Sequence, residues 1–168
     1  MDTSLIIQNY NIATNIVAIA AGICGAYGTY WALMALPKLA PGRAAHGRVT
    51  AANVIVAFIV SGLLLQFGWY QMTVAATVYE NPLAYGDMMP PGRSAGVALI
   101  VLYLSVVGQL AMLYGLWLWL RSQNANLAYM QITAGKILTF TIGGLGLWQI
   151  ERTGAFVLGF FKPVLPMI

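Results

Sequence analysis

The chain reads as four long apolar stretches divided by short polar or turn-forming segments. The first runs from about Ile12 to Leu36 and stops where Pro37 and the Pro41-Gly42 pair forbid further helix. The second runs from about Thr50 to Val78, and at about 1.5 Å per residue its 29 residues would reach roughly 43 Å against a hydrocarbon core of about 30 Å. It must tilt, kink or protrude. A turn-rich segment follows, with Asn81-Pro82 and then Gly86 to Gly92 around Pro90 and Pro91. The third stretch runs from about Gly96 to Leu120 and the fourth from about Ala128 to Ile150. The fourth carries Lys136, whose amine can snorkel toward the headgroups, and the Gly143-Gly144-x-Gly146 cluster near its middle. The tail 154–168 is apolar again but short and interrupted by Lys162, Pro163 and Pro166, so it is expected in the interface or against a neighbour. The pattern predicts an all-α integral membrane bundle, one domain over 1–168. About four transmembrane helices, at 12–36, 50–78, 96–120 and 128–150, are expected as two helical hairpins.

Composition sharpens this reading. Of 168 residues 60% are hydrophobic and 7% charged, whereas a soluble domain carries about 25% charged residues. A water-soluble globule is excluded, and so is an open coil, since so apolar a chain does not stay solvated. No Lys or Arg precedes the first stretch and Asp2 does, which disfavours a cleaved secretory signal. Cys24 is the single cysteine, so an internal disulfide is impossible and a thiolate metal site is not expected.

Eight Lys plus Arg against four Asp plus Glu give a net charge of +4, gathered in clusters between the apolar stretches. They read as topology signals rather than as a nucleic-acid surface. Lys38, Arg43, His46 and Arg48 lie in the first loop, Glu80, Asp87 and Arg93 in the second, and Arg121 and Lys136 around the third. Basic loops stay cytoplasmic, so the first and third loops are expected inside and both chain ends outside.

Chemistry at depth is sparse. Asp2, Glu80, Asp87 and Glu151 fall at or beyond the span ends, and no two carboxylates share a helical face at three- or four-residue spacing. Proton relay and catalysis are therefore disfavoured. His46, between Arg43 and Arg48, reads first as a solvated loop histidine. The basic loop of Lys38, Arg43, His46 and Arg48 reads as a positive-inside anchor that can also meet lipid headgroups or line a lumen. Asn53, Ser61, Gln66, Ser105, Gln109 and Thr139 read as packing glue, and the five tryptophans mostly as a headgroup belt.

Small residues carry more information, because helices in lipid associate by close backbone approach. Ala21, Gly25, Gly28 and Ala32 form one stripe on the first span, and Gly108, Ala111 and Gly115 repeat the device on the third. Gly143 and Gly144 offer a matching surface on the fourth. The stripes are expected to pack against another span of the chain or against a neighbouring subunit.

Between about His46 and Glu151 a series of features occurs in a fixed order. Asn81-Pro82-Leu83-Ala84-Tyr85-Gly86 follows the long second span, Tyr114-Gly115-Leu116-Trp117-Leu118 closes the third, and Lys136-Ile137-Leu138-Thr139-Phe140-Thr141-Ile142-Gly143-Gly144 opens the fourth. This order resembles the small membrane proteins of type IVB secretion and IncI-type conjugation systems, the Dot/Icm group with its DotE/IcmC-like and TraQ-like members. The resemblance implies a structural part of a transfer machine in the inner membrane of a Gram-negative bacterium. It implies partners that are copies of the chain, other secretion or conjugation subunits and phospholipid, with transferred DNA or protein met only indirectly.

No cofactor is expected beyond bound phospholipid, and no catalytic or metal site. The expected function is thus a non-enzymatic subunit that self-assembles into a pilus filament or transfer channel. The alternatives are a small membrane enzyme acting on lipid headgroups and a holin-like or transport pore.

Overall fold

The computed structural model describes residues 3–39, 49–78, 95–123 and 132–154, and among them all regular structure is helical. Helix α1 is Thr3–Ala35, followed by a 3-10 turn Leu36–Leu39; α2 is Ala51–Leu65, α3 Phe67–Val78, α4 Ala95–Ser122 and α5 Ala134–Trp148. Two stretches, Gln8–Leu39 and Leu99–Ser122, are long and apolar enough to cross a membrane, and the bent pair α2 and α3 makes a third if counted as one span. The basic-loop residues Arg43, His46 and Arg48, the 79–94 loop and the tail beyond Gly154 lie outside the described residues.

The first and third expected spans meet α1 and α4 closely, although α1 begins nine residues earlier than expected, at Thr3. Pro37 sits inside the 3-10 turn that ends the helix, as its locked φ and missing N–H require. The other two spans differ from expectation. The second is not one rod, since α2 and α3 meet at a 95° bend around Gln66. Two features weaken the turn before it. Ser61 turns its hydroxyl back onto the Ala57 carbonyl at 2.6 Å, and Gly62 follows immediately, the local chemistry at which helices bend.

The fourth helix is shorter than expected. Thr133 caps α5 by accepting from the Lys136 N–H, and the helix stops at Gln149. Its 15 residues reach about 22 Å, short of a hydrocarbon core of about 30 Å. The glycine cluster expected near mid-span therefore lies in its second half.

These two departures have one form. Thr50 caps α2 as Thr133 caps α5, and both helices have 15 residues. Gln66 and Gln149 close them with nearly the same backbone, φ −109°, ψ 42° and φ −101°, ψ 40°. Gln66 N–H donates to the Gly62 carbonyl and Tyr70 N–H to that of Gln66; Gln149 N–H donates to Leu145 and Thr153 N–H to Gln149. The shift is 83 positions throughout, from 50 to 133 and from 66 to 149. Under it Gly25 falls on Gly108, Ala32 on Gly115, and Lys38 on Arg121, each of the two cations in a last turn. The segments 50–66 and 133–149 share Thr, Ala, Ile, Leu and Gln at matching places. The chain is a tandem of two related helix pairs, α1 with α2 and α4 with α5.

Within each pair the helices run antiparallel. Gly25 and Gly28 of α1 face Ser61 of α2, while Gly108 and Gly115 of α4 face Trp148 and Thr141 of α5. The two pairs join mainly through α1 and α4, which run parallel. Ala21, Val17 and Ala32 on α1, Val60 and Leu64 on α2, and Met112 and Leu116 on α4 belong to one buried cluster.

Candidate functional site

Two backbone-tight seams and one polar cluster between them are the features on which function can rest. In the second pair, a Cβ added at Gly108 would meet the Trp148 backbone nitrogen, with the Gly144 carbonyl oxygen at 2.5 Å and the Leu147 carbonyl carbon at 2.9 Å. One added at Gly144 would meet the Gly108 carbonyl oxygen at 2.6 Å and the Met112 nitrogen at 2.7 Å. These are main-chain atoms, so α4 and α5 touch where neither has a side chain. Gly115 continues the seam against Thr141 Oγ1, 2.7 Å from its notional Cβ.

The first pair uses a similar device with fewer glycines. Gly25 meets Leu65 Cγ at 2.8 Å and the Ser61 carbonyl at 2.9 Å, and Gly28 lies against Ser61 Oγ and Leu120. Ala21 and Ala32 are fully buried on the same face. Ser61 occupies the place that Gly144 takes in the second pair, and its hydroxyl is absorbed by the Ala57 carbonyl.

Not every small residue packs. Gly143, expected to share the role of Gly144, points to open space, because its neighbour alone lies on the side of α5 turned toward α4. Ala111 is half-buried beside the seam rather than within it.

Between the pairs, Ser105 shares a hydrogen bond of 3.2 Å with the Tyr10 hydroxyl, and Gln109 Nε2 donates to the same oxygen at 3.3 Å. The Trp148 side chain makes a further polar contact with it. All four residues are buried. The expectation that Gln109 and Ser105 act as packing glue is thereby given a partner, Tyr10, which the apolar pattern did not single out. Its signal is its place on one helical stripe with Val17, Ala21 and Gly28. Tyr10 falls two residues before the expected span.

Further contacts extend the joint along its length. Tyr27 and Trp117 lie with ring centroids 5.7 Å apart, and Asn53 Nδ2 donates to the Gln123 carbonyl at 3.2 Å. Arg121 sits over the Trp117 ring at 6.0 Å. The tryptophan belt needs correction: Trp148 is buried to 1% exposure at the α4–α5 contact, and Trp31, Trp117 and Trp119 pack against the core, whereas Trp69 is exposed. The Trp148 main chain packs against Gly108, while its ring lies buried beside Tyr10.

Lys38 is exposed on the 3-10 turn, where its charge lies beside the last carbonyls of the first span. Between the N-terminal halves of α1 and α4 runs an apolar cavity of about 490 Å³, lined by Leu5, Tyr10, Ala13, Leu99, Leu102 and Val106 among others. Its lining suits a hydrocarbon chain. Among the described residues no group of three or more His, Cys, Asp or Glu side chains gathers as metal ligands. No protein-family model, curated protein or solved structure matches the chain.

Proposed function

We propose that the chain is a non-enzymatic integral membrane subunit that assembles with copies of itself into a filament or channel of a conjugation or type IV secretion apparatus. The observation that carries the reading is the division of its surface. The inner face of α1 is closed tightly on α2 and that of α4 on α5, with glycines set against main-chain atoms, whereas the outer faces of α1 and α4 expose Ile16, Ile19, Ile23, Tyr30, Ile100 and Tyr103. In lipid the first property holds the subunit together and the second leaves it ready for a further helix.

In this reading the two pairs are held as helical hairpins of a four-span subunit in a bacterial inner membrane. The short α5 is accommodated by local thinning or by packing against neighbours. Lys38, Arg43, His46 and Arg48 face the cytoplasm, or a lumen after assembly, and meet phospholipid headgroups. The cavity between α1 and α4 holds an acyl chain. The resemblance in the order of motifs along the chain supplies the apparatus, and the exposed apolar faces of α1 and α4 leave room for a neighbouring copy.

The test is electron microscopy of mechanically sheared and detergent-extracted cell material, with the chain tagged and labelled. Labelled filaments or multi-subunit rings are expected. Labelled particles that are single chains in both fractions would overturn the reading.

A further inference from the structure

The joint between the two helix pairs is tight at one end and open at the other. In the C-terminal halves of α1 and α4, Tyr27 meets Trp117 and Gly28 lies against Leu120. In the N-terminal halves the same helices part around the cavity of about 490 Å³, where Tyr10 is both a wall and the bridge to Ser105 and Gln109. Leu5 and Tyr103 in its lining are 55% and 67% exposed, so the space is reached from outside the bundle.

The size of the cavity selects its occupant. An apolar cavity of about 150 Å³ holds one benzene ring, so about 490 Å³ has room for roughly twenty carbons. The lining runs from Leu5 to Ala13 on α1 and from Leu99 to Val106 on α4, a length of about 12 Å. A helix about 10 Å across would need about 900 Å³ over that length, so a neighbouring helix is too wide to enter. No charged side chain lines the space. Left unfilled between two apolar walls, it would forfeit the dispersion contacts of both.

Its place along the helices selects the leaflet. The α4 lining falls in the first third of the spanning stretch Leu99–Ser122, and the α1 lining flanks the start of Gln8–Leu39. Lys38 and Arg121 lie in the last turns at the opposite ends. A length of about 12 Å also matches one leaflet, which supplies about 15 Å of a hydrocarbon core of roughly 30 Å.

We propose that this cavity seats one acyl chain of a phospholipid from the leaflet at the N-terminal ends of α1 and α4, entering beside Leu5 and Leu99 and ending against Ala13 and Val106. Where the basic ends stay cytoplasmic, this is the outer leaflet. The inference rests on the membrane part of the proposed function and adds to the acyl chain its number, leaflet and direction. The lipid is then a fixed part of the joint between the two pairs, unlike the exchanging lipid against Ile16 and Ile100 on the exposed faces.

The test places the full chain in nanodiscs of phosphatidylethanolamine and phosphatidylglycerol with a trace of photoactivatable phosphatidylethanolamine. One probe carries its diazirine at the end of the acyl chain and a second carries it next to the ester; labelled residues are mapped by peptide mass spectrometry. The end probe is expected to mark Ala13 and Val106 several-fold above Ile16, and the ester probe to mark Leu5 and Leu99 several-fold above Ile100. Val106→Trp, which fills the cavity, should abolish the excess and leave Ile16 and Ile100 unchanged. Ala13→Phe is the second variant, should the first not accumulate. Labelling of the lining no higher than at Ile16 and Ile100 overturns the proposal, as does an excess that persists in an accumulating variant. The reverse order of the two probes, which marks a chain from the leaflet of Lys38, also overturns it. So does loss of the excess on adding an equal amount of free fatty acid, which assigns the cavity to that ligand. Chains that associate without this labelling would sink the lipid site and leave the self-assembly reading standing. Labelled chains that stay single would do the reverse.

Discussion

Gly108→Ala is expected to destabilise the chain by about 1 to 3 kcal/mol, the cost of overpacking a site whose neighbours are main chain. The new methyl group would meet the Trp148 nitrogen and the Gly144 carbonyl oxygen. A flexible side chain could swing aside, but these atoms move only if α5 moves. Between helices in lipid there is no transfer from water to compensate a widened gap, since the lipid tails are as apolar as the core. Gly22→Ala and Gly143→Ala give the opposite expectation, because both positions are open. Alanine there removes backbone freedom from the unfolded chain, so these variants should be neutral or gain a few tenths of a kcal/mol. Gly25→Ala should follow Gly108→Ala with a smaller loss, as its nearest neighbours stand at 2.8 to 2.9 Å and include the Leu65 side chain. Unfolding by SDS titration in mixed micelles checks the series, and equal effects at Gly108 and Gly143 would contradict it.

Tyr10→Ala is expected to loosen the joint between the two pairs, while Tyr10→Phe leaves it nearly intact. The ring is 5% exposed, and its loss opens a cavity between α1 and α4. In water such a truncation costs about 3 to 5 kcal/mol, of which the transfer part falls away in lipid, leaving about 2 kcal/mol for the cavity and the lost contacts. The hydroxyl alone meets Ser105 and Gln109, and interhelical hydrogen bonds in membranes average about 0.6 kcal/mol. The same titration should therefore order the variants as native, Phe, Ala. A larger loss for Phe than half that for Ala would place the hydrogen bonds, rather than the ring, at the centre of the joint.

The parts of this fold that the apolar pattern predicts are those set by length and by proline. Pro37 ends the first span and the apolar run 96–120 meets α4, because these signals act within one helix. The bend at Gln66 and the stop at Gln149 were hidden for the same reason. Neither position holds proline or glycine, and each break depends on a weakened turn upstream, at Ser61-Gly62 and at Gly144-Leu145-Gly146. The 83-residue tandem was equally present in Thr50 to Gln66 and Thr133 to Gln149, but only five matching residues carry it and the glycines have drifted around them.

The candidate seams were partly legible. Small residues at four- and three-residue spacing mark a smooth face, so Gly25, Gly28, Gly108 and Gly115 could be singled out from spacing alone. Spacing does not say which of two adjacent glycines faces the partner, and the structure separates Gly143 from Gly144. Nor does it identify Trp148 as the buried residue whose main chain meets Gly108. Trp148 resembled a headgroup anchor because its position near a helix end is the same for both roles.

Under the proposed function the chain meets copies of itself in the membrane. Native mass spectrometry of the chain released from nanodiscs formed directly from its own membranes tests this without a preselected detergent state. The account predicts species at several successive multiples of the 18.1 kDa chain, with bound phospholipid. A single species at the mass of one chain, unchanged as its amount in the membrane is raised, would contradict it.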